Sequence, residues 1–307
     1  MQTNKRMLKW LFFTLIVLFP WASNGFAGPF DEIVAFGDSL SDNGNLVLVE
    51  NQPLPDSALY FEGRFSNGRI WVEYLADPER LDAPLTNRAL GGAQSDGLLP
   101  PGLIEQVATH IATDGFQLSS STLFIIWIGG NDYFNADSDF PPVVANIKDA
   151  MERLVEFGAR HILVMNLPDL GTIPDTLGTP EAAEATAFST GFNTALRNML
   201  DTFSSEYPEV DLYEFDVLAF FVMIQSDPGA FGFSNVTDPS PNFQVENNFD
   251  GAGHVFWDDK HPTTQTHSLL ADQVFTSLSE QIPPAGTNNE VQNEDHSSTC
   301  FINSLNW

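Results

Sequence analysis

DEIVAFGDSLSDNGN, residues 31–45, decides how the rest of the chain reads. It opens with the apolar, β-branched run Ile33-Val34-Ala35-Phe36 and breaks at Gly37-Asp38-Ser39-Leu40. A short apolar run cut off by glycine reads as a buried strand reaching its carboxyl end. In open α/β sheets ligands bind outside the carboxyl ends of the strands, so Ser39 is presented where a ligand would sit. The spacing predicts a helix starting near Ser41 or Asp42, whose positive end and free N–H groups would favour charge at the Ser39 hydroxyl. Taken alone, Gly-Asp-Ser-Leu reads better as a turn that caps a helix than as a functional motif.

Downstream, turn formers fill 51–68, followed by a helix predicted over Arg69–Leu75 and a weak strand over Pro84–Leu90 that ends at Gly91-Gly92-Ala93. Leu103–Thr113 has helical periodicity. Thr122–Ile128 (TLFIIWI) is apolar throughout, as in a strand buried on both faces, and ends at Gly129-Gly130-Asn131-Asp132. Helices are expected over Pro141–Phe157, Glu181–Phe203, Asp216–Gln225 and Thr263–Ser279, with strands over His161–Asn166 and Val210–Phe215. Residues 226–257 read as a long loop, and the polar stretch 286–307 as a flexible tail. Alternating strands and helices predict a parallel sheet covered on both faces, one domain over 28–285. The glycine-terminated strands put Gly92 and Asn131 on the same rim as Ser39.

With 12 Lys+Arg against 41 Asp+Glu, the net charge of -29 disfavours nucleic acid and anionic membranes as partners. A single cysteine, Cys300, excludes an intrachain disulfide. Residues 1–27 combine a basic start (Lys5, Arg6, Lys9), an apolar stretch from Trp10 to Trp21 and small residues ending at Ala27. They read as a cleaved signal peptide, and the stretch is short for a membrane span. A secreted or periplasmic protein without an integral membrane span is expected, and its oligomeric state is left open.

A serine hydroxyl needs a general base to act as a nucleophile, the base needs an orienting carboxylate, and the developing oxyanion needs fixed donors. Of six histidines, His110 and His267 fall within helices, His161 opens a strand and His296 lies in the tail. His261 differs: it stands in Trp257-Asp258-Asp259-Lys260-His261-Pro262, in the loop before the last helix, where a tight turn folds the Asp258 carboxylate onto the imidazole. The same residues also suit a helix cap, and His254 is the competing base. Ser39 and Gly92 N–H groups and the Asn131 amide are candidate oxyanion donors, although Gly91-Gly92 also suits a plain turn and Asn131 a cap.

Four segments in order, Gly37-Asp38-Ser39-Leu40-Ser41, Asn87-Arg88-Ala89-Leu90-Gly91-Gly92-Ala93, Gly129-Gly130-Asn131-Asp132 and Asp258-x-x-His261-Pro262, resemble the blocks of GDSL (SGNH) hydrolases. Gly63-Arg64-Phe65-Ser66-Asn67-Gly68 with Trp71–Leu75 is similar to the lipase/acylhydrolase branch that includes plant-type esterases and lecithinase-like bacterial enzymes. The resemblance implies a flavodoxin-like three-layer α/β/α sandwich. It implies Ser39 as nucleophile, His261 as base, Asp258 as its orienting acid, and Ser39 N–H, Gly92 N–H and the Asn131 side chain as the oxyanion hole. No cofactor or metal is required. The α/β-hydrolase elbow, Gly-x-Ser-x-Gly, is disfavoured because Ser41 stands two residues after Ser39.

The function expected is a secreted serine carboxylic-ester hydrolase acting on an ester or lipid. Alternatives with the same residues are acyl transfer to an alcohol and carbohydrate deacetylation. A non-catalytic α/β binding module and a flavin binder complete the set; a colourless protein would dispose of the last. Phe231, Phe233, Phe243, Phe249, Phe256 and Trp257 are candidates to line an acyl pocket, and equally to form a satellite core.

Overall fold

The computed structural model describes residues 29–49, 55–135 and 139–282. The signal segment 1–27, the tail 286–307 and Cys300 lie outside the described residues. Five parallel strands, β1 (Glu32–Gly37), β2 (Leu85–Asn87), β3 (Thr122–Trp127), β4 (His161–Met165) and β5 (Asp211–Phe215), form a sheet in the order β2-β1-β3-β4-β5. Register is set by pairs such as Val34–Phe124 and Ile125–Leu163. This is the flavodoxin-like order, in which the chain reverses direction across the sheet beside β1.

Strand residues alternate between two cores, because successive side chains point to opposite faces. Val34, Phe36, Phe124, Ile126, Ile162 and Val164 face one core, covered by α2 (Leu103–Thr113), α4 (Phe140–Glu156) and α5 (Ala182–Glu206). Ile33, Ala35, Leu123, Ile125, Leu163 and Met165 face the other, covered by α1 (Trp71–Leu75), α6 (Val217–Ser226) and α7 (Thr264–Gln281). The result is a three-layer α/β/α sandwich. A one-turn helix, α3 (Gly130–Phe134), comes after β3. No described helix is long and apolar enough to cross a membrane.

Two expectations need correction. Among the described residues, no α-helix starts near Ser41 or Asp42. The Asp42 carboxylate takes the N–H groups of Gly44, Asn45 and Leu46, and Gly44 sits at φ 113°, so the chain turns instead of winding. A single 3-10 turn at Asn45–Leu48 stands in the helix's place. The helix-end argument for Ser39 therefore falls, and local turn geometry replaces it. Residues 226–257 are likewise structured: β6 (Asn235–Pro239) pairs in parallel with β7 (His254–Phe256), flanked by 3-10 turns at Pro228–Phe231 and Pro241–Gln244. Side-chain caps from Asp227 and Ser240 start those turns, a short-range signal that composition alone does not show.

The end of β1 is held from below by α2. The buried Gln106 amide accepts from Gly37 N (2.9 Å) and donates to Gly37 O (2.9 Å) and Pro101 O (3.0 Å). Gly37 tolerates no side chain, since a Cβ would lie 2.4 Å from the Trp127 carbonyl oxygen. Gln106→Leu leaves the buried Gly37 N–H without its acceptor. A loss of about 2 kcal/mol is expected in urea unfolding; unchanged stability would show that this clamp contributes nothing.

Candidate active site

Ser39 sits at the tip of a turn built by its neighbours. The Asp38 carbonyl accepts from Ser41 N and Asp42 N (both 3.0 Å), and the Asp38 carboxyl accepts from Leu40 N (3.0 Å). Burial pushes the Asp38 carboxyl up to about 7, against the lowering effect of the Leu40 bond and of His261. The buried Asp42 carboxylate also accepts from Gly91 N (2.8 Å), tying the Ser39 turn to the glycine loop after β2. Asn87 Nδ2 donates to Ser41 O (2.6 Å), and Trp71 Nε1 donates to Ser41 Oγ (3.1 Å).

The loop between β7 and α7 brings the second half. Trp257 N donates to His261 O (2.7 Å), closing a tight turn, and Asp258 Oδ1 accepts from Lys260 N (2.8 Å) and His261 N (2.6 Å) inside it. His261 Nδ1 lies 2.7 Å from Asp258 Oδ2, and His261 Nε2 lies 2.8 Å from Ser39 Oγ. Burial alone would raise the Asp258 carboxyl. The opposing His261 charge and the hydrogen bonds outweigh burial and hold it down at about 2. An ionised carboxylate only accepts, so Nδ1 carries the imidazole proton and Nε2 is left to accept from the Ser39 hydroxyl. Pro262 immediately precedes the cap of α7, Thr263, whose side chain accepts from Thr266 N.

His254 does not compete. Its Nδ1 faces the Ala252 carbonyl (3.3 Å) in its own turn. His110 and His267 are buried within helices, and burial lowers both; His267, also facing the His261 charge, is brought to about 3.

Among the described residues, the Ser39 and Gly92 N–H groups have no protein acceptor. Asn131 Nδ2 spends one hydrogen on Ala93 O (3.0 Å) and retains a second. Asp132, beside it, accepts from Ser95 N and Oγ, holding the same loop against α3. Ser39, Gly92, Asn131 and His261 line one cavity of about 210 Å³. Among the described residues no group of His, Cys, Asp and Glu side chains is arranged to hold a metal ion.

The far wall of that cavity is apolar: Phe134, Leu167, Leu170, Ile173, Phe221 and Phe256. Of the aromatic residues expected there, only Phe256 lines it. Phe233 and Trp257 are buried in the fold, Phe243 packs on Tyr60 and Trp257, and Phe249 packs on Phe61. Most of the wall comes from the loop after β4 and from α6, whose apolar residues are indistinguishable in sequence from core. Lys260 stands at the cavity, paired with Asp175 (2.8 Å) and over the Phe134 ring (4.8 Å).

Sequence reasoning missed the parts played by four residues, Phe65, Ser66, Asn67 and Tyr60. Phe65 lies over the His261 ring (centroids 5.1 Å apart), and Gly91 makes room for it, since a Cβ there would lie 2.3 Å from Phe65 Cε2. Ser66 and Asn67 brace the start of α7, Ser66 Oγ donating to Pro262 O (2.8 Å) and Asn67 Oδ1 accepting from Thr264 N (2.8 Å). Tyr60 reaches Asp258 from the same loop. The Gly63–Gly68 run was visible as a motif, but its docking partner lies almost two hundred positions away.

Known proteins resemble the chain along most of its length. The family model described as GDSL-like Lipase/Acylhydrolase matches residues 33–274. The thermolabile hemolysin of Vibrio parahaemolyticus is 31% identical over 84% of this chain, which spans 66% of that protein's length. The phosphatidylcholine-sterol acyltransferase of Aeromonas hydrophila is 29% identical over 82% of this chain and 91% of its own. Among solved structures, a carbohydrate acetylesterase from Sinorhizobium meliloti superposes with TM-score 0.51 at 13% identity, covering 82% of this chain and 99% of its own. The native aryl esterase of M. smegmatis gives 0.50 at 16%, covering 82% and 100%. These two likenesses carry the fold.

Proposed function

The chain belongs to the GDSL-like lipase/acylhydrolase family, and from that premise we propose that it is a secreted serine hydrolase of carboxylic esters with a lipid-like acyl group. The observation that carries the reading is the hydrogen-bonded chain from Ser39 Oγ through His261 to Asp258 at the edge of an apolar cavity. Ser39 Oγ attacks the ester carbonyl while its proton passes to His261 Nε2. The carbonyl oxygen becomes an oxyanion facing the Ser39 and Gly92 N–H groups and the free Asn131 amide hydrogen. Collapse breaks the bond to the alcohol, which leaves with the proton from His261. Water, deprotonated by the same Nε2, then attacks the acyl-Ser39 carbonyl. The acid departs and Ser39 recovers its proton.

The apolar wall favours a long acyl chain over acetyl, because an acetyl group would leave that surface wet. The leader-like segment at 1–27 supports secretion.

A second reading uses the same acyl-enzyme but passes the acyl group to an alcohol. The acyltransferase from Aeromonas hydrophila, matched over 91% of its length, favours keeping it. Product analysis with and without a sterol separates the two: a steryl ester points to transfer, free acid alone to hydrolysis.

The acyl-enzyme is tested with a p-nitrophenyl alkylphosphonate, which mimics the tetrahedral stage. About one equivalent of nitrophenol should be released, and peptide mass spectrometry should find the phosphonyl group on Ser39. Full inactivation with the label elsewhere, or no labelling at all, would sink the proposal.

A further inference from the structure

The geometry points to Tyr60 as a positioning residue for the Ser39–His261–Asp258 chain, one that holds the Asp258 carboxylate from the side opposite its own turn. The inference rests on the proposed role of those three residues. Tyr60 OH donates to Asp258 Oδ2 at 2.5 Å, the same oxygen that faces His261 Nδ1 at 2.7 Å. Asp258 Oδ1 is filled by the N–H groups of Lys260 and His261. Every bond to the carboxylate from its own loop comes from within three residues. Among the described residues, Tyr60 alone ties it to another part of the molecule.

The contact is built rather than incidental. The Tyr60 ring packs between Phe65 and Phe243, at centroid distances of 5.8 and 5.3 Å. Its loop is pinned by two bonds just before it: Trp257 Nε1 donates to Leu59 O (2.9 Å) and Asn247 N donates to Ala58 O (2.7 Å). Phe65, five positions on, lies over the imidazole. One loop thus places both a ring against His261 and a hydroxyl on Asp258. Burial and the Asp258 and Asp259 charges push the Tyr60 hydroxyl well above the usual phenol range, so it stays protonated and serves only as a donor to the carboxylate.

The bond acts on His261 in two ways. It fixes the direction of the Oδ2 lone pair that His261 Nδ1–H uses, and so the ring plane that aims Nε2 at Ser39. It also withdraws charge from Oδ2, which limits how strongly Asp258 stabilises protonated His261. Among the described residues Tyr60 makes no hydrogen bond to the other titratable groups near His261, which are Asp38 beside Ser39, His267 on α7, and Lys260 and Asp259 in its own loop. Without the Tyr60 donor, Asp258 holds the imidazolium more tightly, and the acid-side fall in activity moves to higher pH.

The test is Tyr60→Phe, which keeps the ring and its packing. Steady-state kinetics on a p-nitrophenyl ester across pH should show kcat reduced about tenfold with KM near wild type. The acid limb of kcat/KM should rise by about half a pH unit. A variant whose kcat and acid limb match wild type overturns the inference. So does one that loses melting temperature and activity equally at every pH, because that is packing alone. Phosphonate labelling of Ser39 in both proteins separates the levels: label on Ser39 with a wild-type-like Tyr60→Phe defeats only this inference, whereas absence of label in wild type defeats the reading beneath it.

Discussion

Ser39→Ala is expected to lower kcat on any ester substrate by about five orders of magnitude, with KM little changed. The change removes one atom, the Oγ, whose bond is to His261 Nε2 and not to the turn that carries it. The turn survives, because it is built by the Asp38 carbonyl and by the Asp42 carboxylate bonded to Gly91. The cavity keeps its apolar wall, so substrate still binds. The residual rate is whatever the oxyanion donors and bound water sustain. Hydrolysis of a p-nitrophenyl ester chain-length series by both proteins measures it. Equal activity of mutant and wild type would mean that Ser39 is not the nucleophile, and the mechanism would have to be rebuilt from another hydroxyl.

The second large effect belongs to Asp258→Asn, expected to reduce kcat by about three to four orders of magnitude. Among the described residues, the four partners of the Asp258 carboxylate are all donors: Tyr60 OH, His261 Nδ1, and the N–H groups of Lys260 and His261. An asparagine brings an NH2 that faces two of them without accepting. The backbone donors are fixed in the turn, so the amide oxygen stays with them and the NH2 takes the Oδ2 place. There it presents hydrogens to Nδ1, which relieves the clash by moving the imidazole proton to Nε2. Nε2 then donates to Ser39 instead of accepting, and the base is lost. NMR of the imidazole nitrogens checks the tautomer, and kinetics the rate. A proton still on Nδ1 with a wild-type rate would reject the role given to Asp258.

The same carboxylate links acid to stability. Its folded-state value, about 2, lies below the ordinary 3.8, so its contribution to folding is present above about pH 4 and is lost as pH falls through 2. Asp38 has the opposite sign. Burial raises it to about 7, so its ionisation opposes folding, and that cost grows as pH rises.

The sheet was legible because its signals are local. Ile33–Phe36 and Leu123–Ile128 are apolar and buried throughout, as in a strand between two helical layers, and each is followed by a glycine at which an added Cβ would crowd a neighbour. Asp258 and His261 were legible as a pair because three residues and one tight turn separate them. The helix expected after Ser39 was not there, because the Asp42 carboxylate takes the N–H groups of Gly44, Asn45 and Leu46 and is itself anchored on Gly91 N, 49 positions away, a contact that shows no periodicity. The apolar wall of the cavity was not legible for a related reason. Leu167, Leu170, Ile173 and Phe221 have the composition of core, and only the approach of loops from separate strands opens a cavity among them.

By itself, then, the sequence determined which segments form the central sheet, that they run parallel, and which short motifs end at one rim, but not the β6–β7 pair. Those properties depend on side-chain periodicity and turn chemistry within a few residues. The tertiary structure alone decided that His261 Nε2 meets Ser39 Oγ, that the 61–68 run braces the α7 loop, and that Tyr60 reaches Asp258. Each is a contact across some two hundred positions. Its distance is set by how two helical layers pack on one sheet, a cooperative outcome that no local pattern encodes.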